Sequence, residues 1–333
     1  MEKFAVIGGG GWGTTLADIL AQKGLRVWLW VRNPGLRNLI EEGRENPVYL
    51  PGARLSDNLR VTSSLGEALE HASHVVCAVP SHGIRDVFTK ASPHIPEKSI
   101  IVSVSKGIEE TTLLTPSGII SEILPRGFRE NIVILSGPTF AKEVILRLPA
   151  AACAAGENEG NARSVQEAFS TPYFRIYTNP DPAGVELGGA LKNVIAIAVG
   201  ISDGLGLGGN ARAALITRGL KEISRLGIKM NGKERTFYGL SGLGDLVLTA
   251  TGELSRNRNV GLQVGRGRRL REILTDMRMV AEGVRTSLAV RELARNNRVE
   301  MPITEQVCEV LYGDKPPKEA VMELMTRELK GES

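Results

Sequence analysis

The chain has 333 residues, of which 42% are hydrophobic and 23% charged, and carries a formal net charge of +4. That length predicts two domains and a sizeable core, and that composition excludes wholesale disorder and a collagen-like fibre. The mild positive excess suits an anionic small molecule and is too small to demand nucleic acid.

The three cysteines, Cys77, Cys153 and Cys308, are widely spaced, which suggests neither a disulfide framework nor a zinc cluster and makes the cytoplasm the expected compartment. Met1 leads directly into an apolar segment with no signal-peptide pattern. No apolar run reaches ~18 residues without a charge, so no membrane span is expected.

In chain order, short β-branched runs come first: Phe4 to Ile7, Arg26 to Val31, His74 to Val79, Ser99 to Val104, Ile132 to Leu135, Ala150 to Ala154 and Phe174 to Tyr177. Their alternation with amphipathic stretches predicts βαβ units feeding a parallel sheet. After Asn179-Pro180-Asp181-Pro182 the strand-like runs stop and long helical patterns begin. The expected division is therefore 1–182, a dinucleotide-binding domain, and 183–333, a helical substrate-binding domain.

Directly after the first run, Gly8-Gly9-Gly10-Gly11-Trp12-Gly13 contains G-x-G-x-x-G spacing at Gly8, Gly10 and Gly13, followed by a helical run from Thr14 to Gln22. In that context the glycines serve the tight turn, the backbone approach to a pyrophosphate and the packing of helix on strand. The phosphates then meet free N–H groups at a helix N-terminus. The second run ends in Val31-Arg32-Asn33, where an NAD-selective fold often carries an acid. Arg32 instead suits a 2′-phosphate, which favours NADP or mixed use, and a surface arginine at a strand end is the competing reading.

Farther on, LGGALKNVIAIAVGIS (Leu187 to Ser202) carries one charge, Lys192, in a helix otherwise small and apolar on every side. Desolvation lowers a lysine pKa toward the range of an acid/base catalyst. In a ketone reduction one such lysine supplies both the proton and the nearby positive charge, with Asn193 orienting it or the substrate. The competing reading is a lysine that snorkels from a core helix.

GLSGLGDLVLTATGELSRNRNVG places Asp245 and Thr249 four residues apart, on one helix face, with Asp245 able to position Lys192 by charge or to act as a helix cap. Ser255, Arg256 and Asn257 offer a hydroxyl, a guanidinium and an amide, a cradle for a phosphate monoester or else a solvated turn. Lys106 after the fourth run, and Gly137 with Thr139 after the fifth, lie where nicotinamide and substrate are expected. Six arginines and no acid fall between Leu254 and Arg271, and a solvated basic face is an even competitor for Arg266 to Arg271. His82 is a loop histidine, more often incidental than catalytic, and His71, His74 and His94 show no metal-ligand spacing, so no metal is expected.

Together VIGGGGWGTTLA, SVSKGIE, LSGPTFAKE, GGALKNVIAIAVGISDGLGLGGNARAALITRG, GLGDLVLTATG, LSRNRNVG and VAEGVRT resemble the bacterial-type NAD(P)-dependent glycerol-3-phosphate dehydrogenase family, from about residue 3 to 310. The resemblance implies an α/β N-terminal Rossmann domain with a mostly parallel sheet, then an all-α C-terminal domain of the 6-phosphogluconate dehydrogenase C-terminal type. It implies reduction of dihydroxyacetone phosphate to sn-glycerol 3-phosphate by NADPH or NADH, in a cytoplasmic homodimer serving phospholipid synthesis. By the same likeness Lys192 is the proton donor and acceptor. Cofactor contacts fall at Gly11, Trp12, Arg32, Lys106, Ala141, Arg256, Val280 and Glu282. Substrate contacts fall at Lys106, Gly137, Thr139, Lys192, Asp245, Ser255, Arg256 and Asn257. Gly11 departs from the serine of many members, and Asn33 from the histidine of some. The alternatives are a dehydrogenase of a small hydroxy acid and a non-catalytic dinucleotide sensor.

Overall fold

Most of the apolar runs of the first half become strands that bury both faces; all five residues of the first strand are buried, whereas the edge strand Phe174–Asn179 buries one face only. The computed structural model describes residues 2–277, 281–329, 331 and 332. Its strands are β1 (Lys3–Ile7), β2 (Arg26–Trp30), β3 (Glu45–Asn46), β4 (Leu50–Arg54), β5 (Leu59–Thr62), β6 (His74–Cys77), β7 (Ile100–Ser103), β8 (Ile132–Ser136), β9 (Ala150–Gly156) and β10 (Phe174–Asn179). The helices of this half are α1 (Gly11–Gln22), α2 (Pro34–Gly43), α3 (Leu65–Leu69), α4 (Ile84–Ala91), α5 (Pro116–Ile123), α6 (Ala141–Ile145) and α7 (Glu159–Phe169).

Eight strands form one sheet in the order β10-β9-β8-β7-β6-β1-β2-β5. Every pairing in it is parallel except β8 with β9. From β1 the chain moves outward through β2 to β5, then returns to the other side of β1 as β6, so the switch point of the sheet lies at the carboxyl end of β1. Ligands of open α/β sheets bind there.

All seven runs read from the sequence become sheet strands, and the structure adds β5 and the separate β3–β4 hairpin. Leu59–Thr62 is only four residues long, too short for a period to show, and it pairs as an edge strand on β2.

Contacts divide the chain into two compact units, Met1–Lys106 with Leu114–Glu186, and Gly107–Leu113 with Leu187–Ser333. The short segment after β7 thus belongs to the helical unit, where Ile108 is buried in the core. Gly107 at φ 137° makes the sharp departure that an L side chain rarely tolerates.

The helices that follow are α8 (Pro182–Gly204), α9 (Gly208–Lys229), α10 (Glu234–Phe237), α11 (Asp245–Thr251), α12 (Arg256–Gly265), α13 (Leu270–Asp276), α14 (Glu282–Asn296), α15 (Pro302–Tyr312) and α16 (Pro317–Met325). A π-helical turn, Leu240–Gly244, leads into α11. Helix α8 is long and apolar enough to cross a membrane, yet its apolar window is wholly buried, so it is the core helix around which the unit packs.

Candidate functional site

The glycine loop between β1 and α1 is shaped by what its neighbours allow. Gly8 sits at φ 126°, and a Cβ there would lie 2.5 Å from the Ala78 carbonyl at the end of β6. A Cβ on Gly13 would lie 2.0 Å from the Gly8 carbonyl, so helix and strand can close only over glycine. A Cβ on Gly10, by contrast, would meet nothing within 4 Å, which is the open face a diphosphate requires. Helix α1 begins without a side-chain cap, leaving its first-turn N–H groups to a bound anion. These features fit a dinucleotide.

The loop has a brace that the sequence did not reveal. Asn46, fully buried on β3, donates from Nδ2 to the Gly9 carbonyl (3.0 Å) and to Thr14 Oγ1 (2.9 Å). Its Oδ1 accepts the Tyr49 N–H at 3.2 Å. It lies in an aperiodic segment, where one asparagine looks like any other turn residue.

The first unit also carries Trp12, Arg32, Lys106 and Ala141 of the expected cofactor residues. Ala141 opens α6 with its Cβ 3.7 Å from where a Gly11 side chain would begin, and Trp12 packs edge-on against Phe174. Arg32 is exposed just past β2, and Asn33 caps α2 by accepting the Gly35 and Leu36 N–H groups. Lys106 Nζ donates to the Gly137 carbonyl at 3.1 Å, and Thr139 Oγ1 donates to the same oxygen at 3.2 Å. A Cβ on Gly137 would lie 2.7 Å from Ala152 Cα, so the tight approach of this turn to β9 requires glycine.

In the helical unit the isolated lysine has a partner. Lys192, 5% exposed, donates from Nζ to Asp245 Oδ1 at 2.7 Å and to Thr249 Oγ1. Thr249 Oγ1 in turn donates to Asp245 Oδ1 at 3.3 Å, the i, i+4 relation of α11. Asp245 is therefore the counter-ion of the buried ammonium rather than a helix cap; Gly244 holds the cap position. The competing reading of a lysine snorkelling to solvent is set aside, since Lys192 is buried, paired and hydrogen-bonded.

Asn193 and Asn257 are brought together. Asn257 Nδ2 donates to Asn193 Oδ1 at 2.9 Å, and Asn257 Oδ1 accepts the Gly283 N–H at 2.9 Å, which ties α8, α12 and the start of α14 at one point. Ser255 caps α12 by accepting the Arg258 N–H at 3.2 Å, with its hydroxyl proton still able to donate. Arg256, the first residue of α12, keeps an exposed face. Burial of part of its guanidinium lowers its pKa, offset in part by the Glu282 carboxylate. Val280 lies outside the described residues.

Two expected features separate from this group. His82 is exposed on the turn Ser81–Gly83 of the first unit. Arg266, Arg268, Arg269 and Arg271 face solvent, Arg268 pairing with Asp276, which is the solvated basic face weighed from the sequence. Among the described residues no group of three or more His, Cys, Asp or Glu side chains could hold a metal ion.

A glycine turn at the switch point of a parallel sheet, followed by a helical unit, defines the two-unit NAD(P)-dependent dehydrogenases of Rossmann type. Residues 3–162 match the NAD-dependent glycerol-3-phosphate dehydrogenase N-terminus family and residues 181–322 match the C-terminus family of the same enzyme. The chain belongs to the NAD-dependent glycerol-3-phosphate dehydrogenase family. It is 57% identical to the NAD(P)+-type glycerol-3-phosphate dehydrogenase of Geobacter sp. strain M21 over 331 residues, 99% of each chain. The Solidesulfovibrio magneticus enzyme of that name is 55% identical over 330 residues, 99% of this chain and 100% of its own. The crystal structure of glycerol-3-phosphate dehydrogenase from Coxiella burnetii superposes with a TM-score of 0.92 at 39% identity, covering 98% of this chain and 99% of that one. The chain is an oxidoreductase, and its cofactor is NADH or NADPH.

Proposed function

We propose that the protein interconverts dihydroxyacetone phosphate and sn-glycerol 3-phosphate, and that Lys192 is its acid/base. The observation that carries the residue assignment is a lysine held almost out of water, hydrogen-bonded to Asp245 and Thr249 on its own helix layer. When bound, the nicotinamide supplies or accepts the hydride at the carbonyl carbon. Lys192 gives its Nζ proton to the carbonyl oxygen as that oxygen becomes an alkoxide, and takes it back in the reverse direction. Asp245 holds the lysine in place and stabilises its ammonium form, before proton transfer in the reduction and after it in the reverse direction.

The first unit, read as 1–182, holds the cofactor on Gly8, Gly10, Gly11, Trp12 and Gly13, with Ala141 beside the loop and Arg32 placed for a 2′-phosphate. Lys106, Gly137 and Thr139 present substrate contacts, and Lys106 also reaches the cofactor. The second, read as 183–333, holds the substrate phosphate on Ser255, Arg256 and Asn257, with Asn193 orienting the reacting carbons and Glu282 contributing to the cofactor side. The protein is read as a cytoplasmic homodimer that does not insert in a membrane and supplies the backbone of glycerophospholipids.

Initial rates of NADPH and NADH oxidation with dihydroxyacetone phosphate and with unphosphorylated dihydroxyacetone test the reaction. Fast oxidation confined to the phosphorylated ketone is expected. Equal rates with both ketones, or none with either, would remove the substrate assignment, and the NADPH/NADH ratio, collapsing in Arg32→Asp, tests Arg32.

A further inference from the structure

Asp203 stands near the C-terminal end of α8, with a side chain 6% exposed. Its carboxylate is shared by two guanidinium groups. Oδ1 accepts from Arg212 Nε (3.0 Å) and Nη2 (2.8 Å), and Oδ2 accepts from Arg258 Nε (2.9 Å) and Nη2 (2.7 Å). Arg212 comes from α9 and Arg258 from the first turn of α12, so one carboxylate joins three helices. Arg258 is bound at both ends: its N–H is held by the Ser255 hydroxyl, and its guanidinium by Asp203.

The backbones of α8 and α12 touch along the same line. A Cβ on Gly200 would lie 2.1 Å from the Arg258 carbonyl, and one on Gly261 would lie 2.1 Å from the Ile197 carbonyl. Gly204 and Gly265 repeat the pattern one turn on, each within 2.4 Å of a carbonyl of the opposite helix. Glycine contact sets the distance between these helices, and the Asn193–Asn257 hydrogen bond ties the first turn of α12 to α8 at one point. The Arg258–Asp203 pair adds a second, charged tie one residue on, in which Nε and Nη2 both donate to Oδ2, so that the turn is held in direction as well as distance.

We infer that Asp203 is a positioning residue for the phosphate of the substrate: through Arg258 it sets the rotation of the first turn of α12, and hence where Ser255, Arg256 and Asn257 point. The inference rests on the reading of those three residues as the phosphate cradle. Two arginines on one carboxylate also leave a net positive charge beside that cradle, which favours an incoming dianion.

The experiment measures kcat and KM for dihydroxyacetone phosphate, and kcat/KM for unphosphorylated dihydroxyacetone, in Asp203→Asn, Arg256→Ala and their double variant. Asp203→Asn is expected to raise KM for the phosphorylated ketone on the order of tenfold, with kcat little changed and the unphosphorylated ketone unaffected. The double variant is expected to be no worse than Arg256→Ala alone, since Asp203 acts through the cradle. Equal losses on both ketones, or additive losses in the double variant, would overturn the inference and make the network ordinary helix packing. If Asp203→Asn does not fold by circular dichroism, Arg258→Lys, which keeps the charge and loses the fork, is read against the same outcomes. Should Arg256→Ala itself hit both ketones alike, the phosphate cradle is refuted and this inference with it.

Discussion

At Lys192, the proposed acid/base, stability and chemistry meet, because its ammonium is stable in the core only while Asp245 faces it. Lys192→Met is expected to cut turnover by about 10²–10⁴-fold or more while NADPH affinity holds. It is also expected to cost about 3–5 kcal/mol of stability by stranding a buried carboxylate. Adding Asp245→Leu should restore most of the denaturant midpoint and none of the turnover. A double variant that recovered activity would remove Lys192 as the acid/base. The glycine loop offers a second test at this scale. A Gly11 side chain would begin 3.5 Å from its nearest neighbour, the Tyr49 carbonyl, whereas one at Gly13 would begin 2.0 Å from the Gly8 carbonyl. Gly11→Ser is therefore expected to bind NADPH at least as tightly as the parent, and Gly13→Ser to lose binding, both followed by nucleotide fluorescence.

Among the elements, the α8–α12 pair carries the most consequence, since α8 bears Lys192 and Asn193 and α12 opens with the residues proposed to hold the substrate phosphate. Gly261→Ala would drive a methyl group into the Ile197 carbonyl, with no flexible side chain to yield, so the helices must separate. The expected cost is about 1–3 kcal/mol from overpacking, read by chemical denaturation, together with a raised KM for dihydroxyacetone phosphate. Unchanged stability and KM would show that the two helices adjust without disturbing the cradle. The periodicity of α8 was legible in the sequence, as was the isolation of Lys192. Asp203 stands in the same apolar context one residue past the stretch that drew notice, and its two arginines lie 9 and 55 residues away. No spacing rule links such positions.

At the scale of the whole molecule, buried titratable groups set the response to pH. Glu222 on α9 is 3% exposed and accepts the Ile303 and Thr304 N–H groups at the start of α15. Desolvation pushes its pKa up from 4.5 to about 7, against those hydrogen bonds and the nearby Arg225 charge. A raised folded-state pKa means the native state holds a proton that the unfolded chain has lost. The stability contribution is thus fully present below the unfolded value and is lost as pH rises through about 7. The melting temperature of Glu222→Gln, relative to the parent, is expected to rise between pH 5 and pH 8; a pH-independent difference would show that Glu222 does not titrate in that window. The three thiols behave alike: burial raises Cys77, Cys153 and Cys308 each to about 11. A thiol reagent at pH 8 is expected to label none of them until the chain unfolds.

The sequence alone determined the alternation of strand and helix, the glycine cradle and the lone lysine, because each is written in local periodicity or in a residue out of place among its immediate neighbours. Tertiary structure decided the rest. It decided between the two readings of Asp245 by pairing it with Lys192, tied Asn193 to Asn257, set Asn46 beneath the glycine loop, and sent residues 107–113 to the helical unit. Those contacts join residues 37 to 64 positions apart. Partners at such separations are chosen by how buried polar groups find mates once helices and strands have packed, and that choice has no local trace in the chain.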